Sequence, residues 1–155
     1  MKIKIQKLHE NAVTPSYAHP GDACFDLSAA SVGNYSTLGL PLYRGAPVVC
    51  GTGLAFEVPE GHVMLVFSRS GHGFKHDIRL ANCVGVIDAG YAGEVMVKLT
   101  CDDENEDAPP YLVKPGDRIA QSMIIPVESV EFQIVEQLAL TERGAGGFGS
   151  TGISK

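Results

Sequence analysis

Glycine and proline interrupt this chain so often that no stretch keeps helical periodicity for long. Eighteen glycines and nine prolines are spread over 155 residues. They separate short runs that are apolar or that alternate polar with apolar: Ile3–Leu8, Phe25–Ala29, Gly53–Val58, Val63–Phe67, Glu94–Leu99, Tyr111–Val113, Arg118–Pro126 and Val130–Val135. The separators Pro20-Gly21, Pro59-Glu60-Gly61, Ala89-Gly90 and Pro115-Gly116 carry turn chemistry. Glycine reaches positive φ without strain, and proline removes a ladder donor. Many short strands at this spacing predict an all-β chain, a barrel or a jelly-roll-like sandwich. One short helical turn fits within residues 71–76. Neither an internal repeat nor a second domain is visible.

With 45% hydrophobic and 19% charged residues, the chain can build one core. Met1-Lys2-Ile3-Lys4-Ile5 alternates and lacks the apolar run of a signal peptide. No stretch reaches membrane-spanning length. Cys24, Cys50, Cys83 and Cys101 are far apart with no C-x-x-C pair. That disfavours a zinc site and predicts buried thiols in a reducing cytoplasm. A net charge of −6 and a pI of about 5.3 leave no basic surface for a nucleic-acid polymer. Residues 101–110, Cys-Asp-Asp-Glu-Asn-Glu-Asp-Ala-Pro-Pro, repel one another and end in two ladder breakers, so an exposed loop is expected. The spaced ligands and central glycine of a calcium loop are missing from it. Only His72 and His76 stand four apart among the histidines, and the flanking Gly71 and Gly73 favour a surface loop over a helical metal pair.

Five segments carry chemistry. Asp26 sits inside the apolar run Ala23–Leu27, where an acid must face water or meet a cation. Ser68-Arg69-Ser70-Gly71 ends an apolar run with an anion fork and close-approaching N–H groups, or is an ordinary turn. Residues 82–94 suggest two hairpin arms, Val84–Ile87 and Val95–Leu99, around Asp88–Gly93. Backbone groups there could read a base edge, Asp88 could act as a general base, and Tyr91 offers a flat face. The bland alternative is turn chemistry with a tyrosine plug. Pro115-Gly116-Asp117 reads as a tight turn opening the strand that carries Arg118 and Gln121, either phosphate contacts or a structural ion pair with an exposed amide. The fifth segment is Arg143-Gly144-Ala145-Gly146-Gly147-Phe148-Gly149-Ser150-Thr151-Gly152. It is too glycine-rich to hold one shape alone, yet it offers a ring, a guanidinium and two hydroxyls to a nucleotide. A P-loop and a strand-linked G-x-G-x-x-G are both absent.

In this order and spacing, Ala23–Leu27, Ser68–Gly71, Gly85–Gly93, Gly116–Gln121 and Arg143–Gly152 resemble the five motifs of the trimeric deoxyuridine triphosphatase (dUTPase) family. The resemblance spans nearly the whole chain, and Gly-Gly-Phe-Gly-Ser-Thr-Gly is its most specific part. It implies a distorted β-barrel of jelly-roll type over residues 1–140, with residues 141–155 as an arm exchanged within a homotrimer. It implies hydrolysis of dUTP to dUMP and pyrophosphate by water attack on the α-phosphorus. That reaction limits uracil incorporation into DNA and supplies dUMP for dTMP synthesis.

The family roles fall on Asp88 as base, on Tyr91 beneath the deoxyribose, and on Asn82, Gly85, Val86, Ile87 and Met96 around uracil. Arg69, Ser70, Gly71 and Gln121 would hold phosphates. Phe148 would cover the base; Gly149 would line the substrate; Arg143, Ser150 and Thr151 would hold the γ-phosphate. Asp26 and Arg118 would be supporting charges. Mg²⁺ would ride on the triphosphate, with no direct protein ligand. Neither a membrane nor a nucleic-acid polymer is implied as partner, and a regulatory protein partner would be sought at the acidic loop.

Some positions depart from the family pattern. Ser68 replaces the usual Pro, so a looser turn before Arg69 is expected. Cys24 stands where Gly is common, and Lys98-Leu99-Thr100-Cys101 lacks a frequent Asn. The nearest rival, dCTP deaminase, shares the fold but needs a carboxylate late in the second arm, where this chain has Lys98. A non-catalytic binding module is the other rival, and intact Asp88, Tyr91 and Arg143 argue against it.

Overall fold

The computed structural model describes residues 1–33, 38–103, 105 and 109–147. Among them the elements run β1 (Lys4–Lys7), β2 (Phe25–Ser28), β3 (Ser31–Val32), β4 (Leu40–Leu42), β5 (Val48–Gly51), β6 (Leu54–Glu57), β7 (His62–Phe67), α1 (Ser70–His76), β8 (Ile78–Leu80), β9 (Val84–Asp88), β10 (Met96–Cys101), β11 (Tyr111–Val113) and β12 (Arg118–Pro126). The all-β expectation is met. Two four-stranded antiparallel sheets, ordered β2-β12-β7-β9 and β3-β5-β10-β8, are joined by the ribbons β1-β6 and β11-β4. Leu27, Met64, Val66 and Ala120 from the first sheet share one core with Cys50, Ile78, Leu80 and Leu99 from the second. Each fully buried Leu there contributes about 1.5–3 kcal/mol of transfer free energy.

The strand β12 organises the first sheet, because it pairs with both β2 and β7. Its register against β2 shifts between Arg118 and Ala120. One extra residue lets Ile119 and Ala120 both be buried, and it puts Arg118 and Gln121, three apart, on the same outer face. Ser122 is fully buried, and its hydroxyl donates to the Leu65 carbonyl at 2.6 Å. Thr52 is the equivalent polar group at the edge of the second sheet, donating to the Val95 carbonyl at 2.7 Å.

Three expectations are corrected. Val84–Ile87 and Val95–Leu99 are strands, but they do not pair with each other. β9 pairs with β7, from Val84↔Phe67 to Asp88↔Val63, and β10 pairs with β5 and β8. The apolar residues of the two arms enter separate sheets, so the arms diverge. Val130–Val135 forms no strand: it pairs with no other segment among the described residues, although both four-stranded sheets have edges. His72 and His76 lie on a helix rather than a surface loop, which meets the separate expectation of a helical turn within residues 71–76. α1 is stopped by Asp77 in the left-handed region, with its N–H on the Gly73 carbonyl, and Lys75 and His76 favour its C-terminal end. Packing of His72 and His76 on the Tyr111 ring, with centroids 5.6 and 4.8 Å away, offsets the weak propensity of two glycines.

Candidate active site

Three of the five segments converge at one corner. In the ladder, Gln121 lies between Asp26 on β2 and Phe67 on β7. The segment after Phe67 therefore turns directly over that row. Asp26 is 17% exposed at its side chain and accepts from Arg69 Nε at 2.8 Å and from Arg118 at 3.0 Å. One carboxylate thus holds two guanidiniums, which answers how an acid survives in the Ala23–Leu27 run. Arg69 keeps the rest of its fork free to meet an anion.

The turn at Ser68 is tied rather than loose. Its hydroxyl accepts from the Leu80 N–H at 2.9 Å, and its carbonyl accepts from the Gln121 amide at 2.9 Å. A proline at this position could supply only the carbonyl bond. Ser70 and Gly71 open α1 directly beyond, and a Cβ on Gly71 would meet nothing within 4 Å.

The divergence of β9 and β10 leaves a cleft of about 420 Å³, lined among others by Val66, Asn82, Gly85, Ile87 and Met96. β9 is an edge strand, so one side of its backbone has no ladder partner among the described residues. Gly85 keeps the cleft open, because a Cβ there would stand 3.1 Å from the Val66 Cβ. Val86, on the alternate face of the same strand, is exposed. The sequence missed Lys98, which also lines this cleft. The alternation of β10 was the available signal: Val97 and Leu99 are buried, and Met96 and Lys98 are exposed.

At the far end of β9, Asp88 is exposed, and its carbonyl accepts from the Tyr91 N–H at 3.2 Å. Tyr91 folds back over the tip and donates its hydroxyl to the Glu94 carbonyl at 3.0 Å. Gly90 takes φ +90, which only glycine adopts cheaply. Within one chain, no hydrogen bond or ion pair among the described residues joins this tip to the Asp26–Arg69–Arg118 corner. Arg143 is exposed and donates to the Gly146 carbonyl at 3.0 Å. Phe148, Gly149, Ser150 and Thr151 lie outside the described residues.

Beside the arginine corner, His72 is only 8% exposed, and its Nδ1 has no hydrogen-bond partner. Burial, then Arg69 and His76, hold its imidazole below the ordinary value. Of the thiols only Cys50 is buried, and burial pushes it up to about 12. Cys24 and Cys101 are half-buried and Cys83 is exposed, which corrects the expectation of four buried thiols. Among the described residues, no group of three or more His, Cys, Asp or Glu is placed to hold a metal. No helix among them is long and apolar enough to cross a membrane.

A family model described as dUTPase matches residues 10–152. The deoxyuridine 5'-triphosphate nucleotidohydrolase of Nautilia profundicola is 42% identical over 152 residues, covering 98% of this chain and 99% of its own. That of Desulfitobacterium hafniense is 43% identical over 157 residues, covering 99% and 98%. Among solved structures, the dUTPase of Staphylococcus bacteriophage 80alpha with dUpNHpp superposes with a TM-score of 0.83 at 29% identity, over 98% of this chain and 99% of that one. A phage phi11 dUTPase mutant from S. aureus that coordinates a structural Mg(II) ion superposes with a TM-score of 0.75 at 27% identity, over 88% and 98%.

Proposed function

The chain belongs to the dUTPase family and hydrolyses dUTP, and from that premise we propose how its residues divide the work. The observation that carries the assignment is the cleft between β9 and β10, one wall of which, β9, runs on to the exposed Asp88. Uracil enters this cleft, where backbone of Gly85, Val86, Ile87 and Met96, with Asn82, reads its edge. Tyr91 packs under the deoxyribose and leaves no room for a 2′-hydroxyl. That places the triphosphate beyond the strand end, near Asp88.

Asp88 takes a proton from water as the water oxygen bonds to the α-phosphorus. The bond from the α-phosphorus to its bridging oxygen breaks, and pyrophosphate leaves with the electron pair. Arg69, Ser70, Gly71 and Gln121 hold the phosphate oxygens, with Ser70 able to donate to the bridging one. Asp26 keeps Arg69 and Arg118 in place. Arg143, Gly149, Ser150, Thr151 and Phe148 close over the nucleotide and exclude water.

At the arginine corner the Asp26 carboxylate is already held by Arg69 and Arg118 and their positive charge opposes a bare cation, so the corner fits Mg²⁺ arriving on phosphate oxygens. Bound there, the ion supplies charge neutralisation on the leaving group.

Within one chain, the arginine corner and the tip are not joined. We therefore propose a homotrimer in which a site draws on three subunits, residues 1–140 forming the barrel and 141–155 the exchanged arm. Phe132, Ile134, Leu138 and Leu140 are 80–99% exposed, and such apolar side chains favour burial on a second copy. The reducing cytoplasm suits four free cysteines.

The test is Asp88→Asn. Binding of dUTP should persist while kcat falls at least about a hundredfold, the lower range for a general base. Undiminished pyrophosphate release would remove Asp88 as the base. Release from dUTP, set beside dCTP, dTTP and UTP, checks the base and sugar assignments in the wild-type chain.

A further inference from the structure

Lys98 is the one charged side chain lining the β9–β10 cleft, and no role has been given to it above. The residues around it are Val66, Leu80, Ala81, Asn82, Gly85, Ile87, Met96 and Val97, none of them a carboxylate. Among the described residues the Lys98 ammonium has neither a hydrogen bond nor an ion pair. Only its backbone is engaged: its carbonyl accepts from the Ala81 N–H at 2.8 Å, and Lys98 pairs with Val49 in the ladder. A structural lysine would show a partner; alternation along β10 instead sets Lys98 beside Met96 on the face that lines the cleft.

Its depth decides what it can touch. Asp88 and Tyr91 lie at the tip end, where the sugar and phosphates are placed. Lys98 is two residues further along β10 than Met96, away from that tip. In a pyrimidine, ring position 4 lies opposite the N1 that carries the sugar. A base entering from the tip therefore points its position 4 toward Lys98. An ammonium offers donors only. It matches the 4-carbonyl of uracil and opposes the 4-amino group of cytosine, which is itself a donor. We infer that Lys98 is a specificity residue that donates to the 4-carbonyl of uracil and rejects the 4-amino pyrimidine. The inference rests on the reading of this cleft as the base site.

The experiment compares Lys98→Met, Lys98→Arg and Asn82→Ala with the wild type, using the dUTP KM and kcat and the inhibition constant of dCTP. Lys98→Met should narrow the preference for dUTP over dCTP by about tenfold, the low end for a hydrogen bond to a charged group. The change should fall in KM, with kcat held. Lys98→Arg should restore most of the preference. Equal weakening of dUTP and dCTP would overturn the inference, because a phosphate contact does not distinguish bases. No change in Lys98→Met beside a raised dUTP KM in Asn82→Ala would also overturn it, while leaving the cleft as the base site. No change in either variant would remove the cleft assignment itself.

Discussion

At the scale of single residues, the arginine corner sets a problem that His72 makes measurable. Its imidazole is packed on Tyr111 close to Arg69 and His76, and its Nδ1 is unpartnered. Asp117 pulls the other way but does not prevail over burial. The folded chain therefore keeps His72 neutral where the unfolded chain, at the ordinary value of 6.5, takes up a proton. The unfolded state then binds more protons as pH falls below that value, so stability is full above it and is lost below it. Replacing His72 with Leu should shrink the difference in melting temperature between about pH 7.5 and about pH 5.5. An undiminished difference would assign the acid sensitivity to another group. The sequence allowed one helical turn over residues 71–76, but the burial of His72 was not legible in it. His72 sits between two glycines, which argue for a loop, and only the partner ring 39 positions away on Tyr111 makes the helix worthwhile. Asp26 was half legible for a related reason. An acid in an apolar run demands a cation, but nothing local says that it will hold two from distant strands.

At the scale of elements, the strands with clean alternation were readable and their pairing was not. Arg118–Pro126 is a strand over its full expected length because a Pro-Gly turn opens it, Pro126 closes it and the pattern suits a central strand. The segments around Asp88–Gly93 looked like a hairpin because they are close in sequence, yet β7 outcompetes β10 for β9. The outcome suits function better than a closed hairpin, since paired arms would have filled the cleft with their own ladder. The tip then has to be held without that ladder, and Tyr91 does so through the Glu94 carbonyl. Gly93 makes this closure feasible: a Cβ on it would stand 2.6 Å from the Tyr91 hydroxyl and 2.7 Å from its ring. Gly93→Ala should displace the tyrosine and reduce the preference for dUTP over UTP by about tenfold, within the range one contact can supply. The tip is exposed, so the melting temperature should change little. Parallel kcat/KM measurements with both nucleotides check this, and an unaltered ratio would deny Tyr91 its place under the sugar.

At the scale of the whole molecule, the sequence wrote part of an answer that one chain cannot complete. Val130–Val135 alternates like a strand, but Val130, Phe132 and Ile134 are 68–99% exposed and pair with no strand among the described residues. On the homotrimer reading their partner lies on another copy, which is why the expectation of a strand could be sound in pattern and still fail in one copy. The same reasoning reaches the active site, where the base cleft, the arginine corner and the arm are separate parts of one chain. Two inactive variants can decide whether they meet across copies. A chain ending at Leu140 lacks the arm but keeps Asp88, and full-length Asp88→Asn keeps the arm but lacks the base. If the arm closed over its own subunit, no mixture of the two could turn over dUTP. If it closes over a neighbour's Asp88, co-expression in equal amounts gives about a quarter of sites both parts, from two independent halves in a random cyclic assembly. Recovered pyrophosphate release of that order, from particles of trimeric mass, is the expected outcome. A mixed trimer without turnover would return the arm to its own subunit and leave the exposed apolar stripe as an assembly surface alone.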